Sequence, residues 1–121
     1  MANNGRAGKL FFKVDGTLYD AKGSFTYNTG QPKREAIVGA DGVHGFKETQ
    51  QAPFIEGEIT DRASLDLEKF VTIDGATVTL EMLNGKVFVL REAWFAGDGS
   101  VTTEEAAIAV RFEGMSGEEV K

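Results

Sequence analysis

The chain has 121 residues, enough for one domain with its own hydrophobic core, and we predict a single domain over residues 1–121. It contains no cysteine, which excludes disulfide bonds, a thiolate nucleophile and a thiolate metal site. Its formal net charge of −6 argues against a protein that grips nucleic acid through clustered Lys and Arg side chains. Because no apolar run is long enough to cross a membrane and no signal-peptide pattern opens the chain, we expect a protein made in the cytoplasm, without membrane contact.

The first elements of the chain predict a polar arm followed by short β-strands. Residues 1–8 are small and polar, and we expect an N-terminal arm there. Alternating apolar residues around Asp15 and Gly16 then predict a first hairpin with this core face: Leu10, Phe12 and Val14. Residues 23–28 predict a further strand on which Phe25 and Tyr27 point the same way. Four phenylalanines are expected to lie mostly in the core: Phe11, Phe12, Phe25 and Phe112.

Residues 30–53 differ from the rest because they contain few apolar residues for their length. A segment this long with so little to bury is typical of a functional arm or of an idle surface loop, and we favour the arm. Its sizeable apolar residues cluster about Asp41 and Gly42, which predicts an extended hairpin that finds its partner on another molecule. The residues expected to make that contact are Ile37, Val38, Asp41, Val43, His44 and Phe46.

The middle of the chain predicts one strand and one short helix. Residues 54–60 alternate, with Ile55 and Ile59 on one side and Glu56 and Glu58 on the other. Residues 64–70 predict a helix capped by Asp61 or Ser64, although the spacing of its leucines also permits a strand.

The strongest local signal is a hairpin over residues 77–95, because Asn84 and Gly85 favour a two-residue type I′ loop. That loop would place Leu80 opposite Val89 and give this core face: Val78, Leu80, Met82, Val87 and Val89. The other face would mix charges with large apolar residues: Thr77, Thr79, Glu81 and Leu83, with Lys86, Phe88, Leu90, Glu92 and Trp94. Because a solvated sheet face is more uniformly polar, we expect a helix or another subunit to cover part of it.

The end of the chain predicts a last strand over residues 103–113 with Ile108, Val110 and Phe112 towards the core. Residues 114–117 are expected to loosen the chain before a charged tail. Asp or Asn precedes Gly at positions 15, 41, 74, 84 and 98, so turn signals recur along the chain. This pattern predicts a mainly β protein with one helix.

The residues available for chemistry predict no active site. The only histidine, His44, lies in the predicted arm without a catalytic partner. No serine lies in a Gly-x-Ser-x-Gly context, and no glycine-rich phosphate loop is present. Glu56 and Glu58 share a strand face but lack the partners that acid–base catalysis requires. We therefore expect a protein that is not an enzyme and that has no cofactor and no metal site.

Several stretches, taken in order, resemble tail tube proteins of Mu-like contractile-tailed bacteriophages over about residues 8–120. The first is GKLFFKVDGTLYDAKGSFTYN, and a polar arm, IEGEITD and a short helix follow it. ATVTLEMLNGKVFVL and AVRFEGMSGEEV complete the pattern. These are turn and strand patterns and not chemical signatures, so the resemblance rests on their order and spacing.

This resemblance implies an antiparallel β-sandwich or small barrel with one flanking helix, related to the Hcp tube protein of type VI secretion. It implies a virion protein whose hexameric rings stack into a hollow tube inside a contractile sheath. DNA, led by the tape measure protein, would pass through the lumen without specific binding, and the sheath, the baseplate and other copies of the chain would be partners. Residues 30–53 would correspond to the loop that contacts neighbouring subunits. The candidate lumen-facing residues are Glu56, Glu58, Thr77, Thr79 and Glu81.

Two alternatives stay open at this point. The same fold could serve as the tube of a tailocin or of a type VI secretion-like apparatus. A different class of protein, a small β-barrel that binds a ligand or nucleic acid, would predict a stable monomer with a defined pocket.

Overall fold

The computed structural model describes residues 10–120, so the predicted N-terminal arm over residues 1–8 lies outside the described residues. Eleven strands and one helix follow in chain order. The elements are β1 (Phe11–Val14), β2 (Thr17–Tyr19), β3 (Ala21–Asn28), β4 (Lys33–Gly39), β5 (Gly42–Thr49), β6 (Phe54–Thr60), α1 (Leu67–Val71), β7 (Ala76–Glu81), β8 (Val87–Phe95), β9 (Val101–Thr102), β10 (Ala107–Glu113) and β11 (Ser116–Val120).

Nine of the strands form one antiparallel sheet in the order β2-β1-β7-β8-β10-β6-β3, with β11 beside β8 and β9 beside β10. Strand β8 belongs to two parts of this sheet: its first residues pair with β7 and β11, and its last two pair with β10. We call β2-β1-β7-β8-β11 the β7 half and β10-β6-β3 the β6 half. Because the described sheet keeps open ends at β2 and β3, it is a sandwich and not a closed barrel.

The bend between the two halves coincides with a bulge in β8. Ala76 pairs with Ala93 but Val78 pairs with Leu90, so β8 carries one more residue than β7 between these pairs. Within the bulge, Glu92 has a φ of 53°, in the left-handed region. A bulge increases local twist, which lets the end of β8 turn towards β10. The mainly β antiparallel prediction with one short helix is confirmed.

The core lies between the two halves and is rich in aromatic side chains. Both halves contribute fully buried residues, among them Phe12, Val78 and Leu80 from one half and Ile55, Ile59 and Phe112 from the other. Phe70 of α1 completes the core at one end, where its ring makes edge contacts with Tyr19, Phe95 and Phe112. The first hairpin is confirmed: Asp15 and Gly16 both have positive φ, and Val14 pairs with Thr17.

The helix is shorter than the predicted range of residues 64–70. A turn closes first, because the Leu65 amide donates to the Arg62 carbonyl at 3.0 Å. Asp66 is therefore the N-cap, and its carboxylate accepts a hydrogen bond from the Lys69 amide at 3.3 Å. The prediction that Asp61 or Ser64 caps the helix is wrong.

The loop of the β7–β8 hairpin has three residues and not the predicted two. The Met82 amide donates to the Lys86 carbonyl at 3.0 Å, and the Gly85 amide donates to the Met82 carbonyl at 3.1 Å. Gly85 has a φ of 92°, whereas Asn84 keeps a negative φ and accepts a hydrogen bond from the Lys86 amide. This is a type I turn followed by a left-handed glycine, the usual three-residue hairpin loop.

The extra loop residue shifts the predicted register by one, so Leu80 pairs with Phe88 and Thr79 with Val89. A shift of one residue moves every side chain of a strand to the opposite face. Phe88 and Leu90 are therefore fully buried, while Val87 and Val89 lie half-buried on the outside of the sandwich. The predicted core face was correct for β7 and wrong for β8.

Three further expectations were wrong. Phe11 points away from the core and is 36% exposed. The last predicted strand begins at Ala107, because residues 103–106 form a turn. Residues 116–120 are not a loose tail: they form β11, in which Glu118 makes an ion pair with Arg91 of β8.

Candidate self-assembly arm and lumen-facing residues

Strands β4 and β5 form a two-stranded sheet that pairs with no other described strand. Every residue of the two strands is exposed, so the hairpin projects from the sandwich with no cover of its own. We call this hairpin, Lys33 to Thr49, the arm. An isolated two-stranded hairpin is at best marginally stable in water, so the arm requires a partner surface to become rigid.

The register of the arm places several apolar residues on one of its faces. Ala36 pairs with Phe46 and Val38 pairs with Val43, and paired residues share a face. Val38 is 70% exposed and Val43 is 71% exposed, which is unusual for large apolar side chains of an ordered strand. At the end of this face nearer the sandwich, the Arg34 guanidinium lies 4.6 Å from the centre of the Phe46 ring. We call this the apolar face of the arm.

The tip of the arm is held by polar contacts. His44 Nε2 and Asp41 Oδ1 are 2.7 Å apart. The His44 ring also lies so close to Gly39 that a Cβ on that glycine would come within 2.6 Å of His44 Nε2. His44 therefore shares the opposite face of the arm with Ile37, and Asp41 lies at the turn.

Of the six predicted assembly residues, the structure brings three together on the apolar face: Val38, Val43 and Phe46. Ile37 and His44 lie on the opposite face, and Asp41 shapes the tip. Alternation along the strands indicated two faces, but the bulge in β5 between Val43 and Phe46 decided which residues share one.

The arm is anchored at its base. Pro53 is buried, and its carbonyl accepts a hydrogen bond from the Gly114 amide at 3.2 Å. Gly30, with a φ of 84°, lies against the Pro53 ring, where a Cβ would come within 2.8 Å of Pro53 Cδ. The side-chain amide of Gln51 donates to the Gln31 carbonyl at 2.7 Å. These contacts fix the position from which the arm projects.

Two of the candidate lumen residues, Glu56 and Glu58, lie on the outer face of the β6 half, away from the core. Arg111 organises this face: its guanidinium donates to Glu56 at 3.0 Å and to Glu113 at 3.1 Å. The same guanidinium lies 4.1 Å from the centre of the Phe54 ring. Glu58 is exposed, and in the register of the sheet it lies opposite Lys22 of β3. The result is a polar surface with charges of both signs.

The other three candidates, Thr77, Thr79 and Glu81, lie on the outer face of the β7 half. Glu81 accepts a hydrogen bond from the Lys13 ammonium at 2.8 Å. Since the two halves pack with their inner faces together, their outer faces point in opposite directions. The structure therefore does not bring the five candidates onto one surface. The alternation of apolar and polar residues predicted which side chains face away from the core. It did not predict which half of the sandwich each strand belongs to.

Two titratable groups of residues 10–120 have a shifted pKa, and each shift has a local structural cause. A hydrogen bond from the Tyr27 hydroxyl to Glu119, together with partial burial and the negative charge of Glu119, raises the pKa of Tyr27. Hydrogen bonds from Ser100 to the carboxylate lower the pKa of Asp98, which shapes a turn. In residues 10–120 no group of three or more His, Asp and Glu side chains could hold a metal ion. None of the helices in that part of the chain could cross a membrane.

Comparison with known proteins assigns a family to most of the sequence. Residues 3–119 match the family model described as phage tail tube protein. The Mu-like prophage FluMu tail tube protein of Haemophilus influenzae is 26% identical over 97 residues, which are 80% of this chain and 81% of that protein. The tail tube protein of Escherichia phage Mu is 26% identical over 98 residues, which are 81% of this chain and 82% of that protein.

Three solved structures share the fold at 7–8% sequence identity, so they are evidence of the fold alone. The sheath/tube terminator of PVC, an extracellular contractile injection system, has a TM-score of 0.66 and covers 93% of this chain and 94% of its own. The anti-feeding prophage cap has a TM-score of 0.62, with 93% and 88% covered. A chain of the PVC sheath–tube complex also has a TM-score of 0.62, with 99% and 98% covered.

Proposed function

This chain belongs to the phage tail tube protein family, a family of virion structural proteins and not of enzymes, and from that premise we propose how it builds a tube. Its copies form hexameric rings, and the rings stack into a hollow tube inside a contractile sheath. The chain is one domain over residues 1–121, and residues 30–53 are its assembly element.

The observation that carries this proposal is the exposed arm. Val38, Val43 and Phe46 lie uncovered on a hairpin that makes no sheet contact with any other strand of residues 10–120. Burying apolar surface of this kind is worth about 25 cal/mol per Å². Contact with other copies supplies that burial, and it is repeated at each subunit of a ring and a stack. The six assembly residues thus divide into a contacting group, Val38, Val43 and Phe46, and three others: Ile37 on the opposite face, and Asp41 and His44, which hold the shape of the tip.

We assign the lumen to the outer face of the β6 half, with Glu56 and Glu58 lining it. A water-filled conduit for DNA needs a polar wall, and this face carries Glu56, Glu58 and Glu113 against Lys22 and Arg111. A wall with a net negative charge repels the phosphate backbone and lets DNA slide without binding. The outer face of the β7 half carries exposed Phe11, Leu18 and Val120, so Thr77, Thr79 and Glu81 lie on the outside of the tube in this proposal.

The remaining partners follow from this arrangement. The sheath surrounds the tube, the tape measure protein occupies the lumen before DNA passes, and the baseplate closes one end. None of these contacts requires a cofactor. A ligand-binding module, the alternative from another class, would need a monomer as its working state.

Electron microscopy of the purified protein over a range of concentrations tests the proposal. We expect rings at intermediate concentration and stacked hollow tubes at high concentration, each ring with six subunits. Compact monomers at every concentration would overturn it. Rings with another number of subunits would overturn the hexamer while leaving a tube in place.

A further inference from the structure

Large apolar side chains are exposed in two separate regions of residues 10–120. The first is the arm, with Ile37, Val38, Val43 and Phe46. The second is the outer face of the β7 half and its rim, with Phe11, Leu18, Leu83 and Val120. Met115, in the turn before β11, is the only other exposed large apolar residue in the described range. Single exposed apolar residues are ordinary on a protein surface. Two clusters of them on one chain indicate surfaces that contact other molecules.

The second region is a continuous patch across five strands. Register places Phe11, Glu81, Val87 and Val120 in one row across the sheet. The next row contains Leu18, Lys13, Thr79, Val89 and Glu118. Side chains that neighbour one another along and across strands in this way form one surface. We call these two rows the β7 outer patch.

The dimensions of the two regions match. Strands spaced about 4.8 Å apart make a five-stranded patch roughly 20 Å wide, and a strand of seven or eight residues is about 25 Å long. The arm can therefore lie across the full width of the patch. Its apolar residues Val38, Val43 and Phe46 lie together in the half of that length nearer the tip, within about 7 Å along the strand.

The charges of the two regions are also compatible. The arm contains Lys33, Arg34 and Lys47 against Glu35, Asp41 and Glu48, which sum to zero with neutral His44. Around the patch, Lys13 pairs with Glu81 and Arg91 pairs with Glu118, so this surface is neutral as well. Copies that carry a net charge of −6 repel each other, but these two surfaces can meet without a net charge on either one.

From these observations we propose that the β7 outer patch is the surface on which the arm of another copy docks. Val38, Val43 and Phe46 of one copy pack against Phe11 and Leu18 of the next, and the rest of the arm extends across the patch towards Val120. The inference rests on the proposed function, because it names the site that the assembly arm occupies. Two different regions meet in this contact, so it is heterologous and can close a ring or continue along a stack.

Engineered disulfides test the contact directly, because the chain contains no cysteine. In the double variant Val38→Cys with Leu18→Cys, mild oxidation of assembled protein should give a ladder of covalent multimers on a non-reducing gel. The matched control is Val38→Cys with Glu58→Cys, which places the second thiol on the outer face of the β6 half. The control should remain monomeric on the same gel, and both variants are first checked for tubes by electron microscopy.

A second pair of variants, Leu18→Lys and Thr26→Lys, tests the docking site if the cysteine substitutions prevent assembly. Leu18→Lys adds a charge to the patch at a side chain that is 52% exposed, so the monomer should keep its circular dichroism spectrum. We expect its critical concentration for polymerisation to rise at least tenfold, whereas Thr26→Lys on the other outer face should change it less than threefold.

The outcomes separate this inference from the proposed function. Tubes in which Val38→Cys links to Glu58→Cys and not to Leu18→Cys would overturn the docking site and leave the tube in place. Normal polymerisation of Leu18→Lys would overturn it too. Failure of the wild-type chain to form any ring or tube would instead refute the proposed function itself.

Discussion

Tyr27 and Glu119 join two strand edges that belong to different halves of the sandwich. The Tyr27 hydroxyl donates to Glu119 at 2.5 Å, and the Tyr27 ring stacks on Phe88 with centres 4.5 Å apart. Strand β11 pairs with β8 on one side only, and this side-chain contact adds a link from β11 to the β6 half. Tyr27 thus joins the edges of the two halves.

The pKa of Tyr27 gives a prediction with a definite sign. Because the contact with Glu119 raises the pKa of Tyr27 above its ordinary value of 10.0, the folded state favours the protonated phenol. The stabilisation is complete below pH 10 and is lost as the pH rises through the pKa of the folded protein. In urea unfolding, the advantage of wild type over Tyr27→Phe should therefore be constant below pH 10 and should fall as the pH rises above 10. A difference between the two proteins that stays the same above pH 10 would contradict the prediction.

Two neighbouring residues of β8 test the register of the long hairpin. Phe88→Asp places an unpaired charge at a fully buried position, at a cost of several kcal/mol against a typical total stability of about 5–15 kcal/mol, so the chain should unfold. Val89→Asp changes the adjacent, half-buried residue on the outer face and should leave the monomer folded. Near-UV circular dichroism distinguishes the two outcomes. A folded Phe88→Asp beside an unfolded Val89→Asp would restore the register expected from a two-residue loop.

At the scale of elements, the two hairpins show what the sequence can and cannot predict. Asp15 and Gly16 adopt the two-residue loop that their types favour. Asn84 and Gly85 carry the same signal, but the Asn84 side chain bonds to the Lys86 amide and only Gly85 adopts a positive φ. The choice depends on which register buries Phe88 and Leu90, and that depends on distant strands. Local patterns therefore predicted the elements, whereas pairing between elements decided the faces.

The same distinction applies to the candidate site. The arm was predictable because its shortage of apolar residues is a local property of residues 30–53. The β7 outer patch was not, because it joins Phe11 and Leu18 of the first hairpin to Val120, which is about a hundred residues later in the sequence. Its apolar character also depends on the orientation of β8, which the predicted register reversed.

Shortening the arm should separate folding from assembly. Deletion of residues 40–45 removes the tip and Val43, and none of these residues is buried. The free energy of unfolding should change by less than about 1 kcal/mol, because changes to surface segments rarely cost more. Polymerisation, followed by sedimentation, should be lost. A variant that no longer unfolds cooperatively would mean that the arm contributes to the core.

At the scale of the whole molecule, the distribution of charge is the property that assembly has to overcome. The chain carries 19 acidic and 13 basic residues, yet the arm and the β7 outer patch are each close to neutral. The excess negative charge therefore lies on other surfaces, including the outer face that we assign to the lumen. Repulsion between those surfaces acts over distances set by the ionic strength, whereas apolar contact at the arm does not weaken in salt.

Salt should therefore promote polymerisation. Screening shortens the range of repulsion from about 30 Å at 0.01 M salt to roughly 8 Å at 0.15 M and 3 Å at 1 M, while the neutral docking surfaces lose no attraction. We expect the critical concentration, measured by pelleting at 20 mM and 500 mM sodium chloride, to fall several-fold at the higher salt. The chain without residues 40–45 should stay in the supernatant at both, which excludes non-specific salting out. A critical concentration that rises with salt would show that ion pairs between copies, and not apolar docking of the arm, hold the tube together.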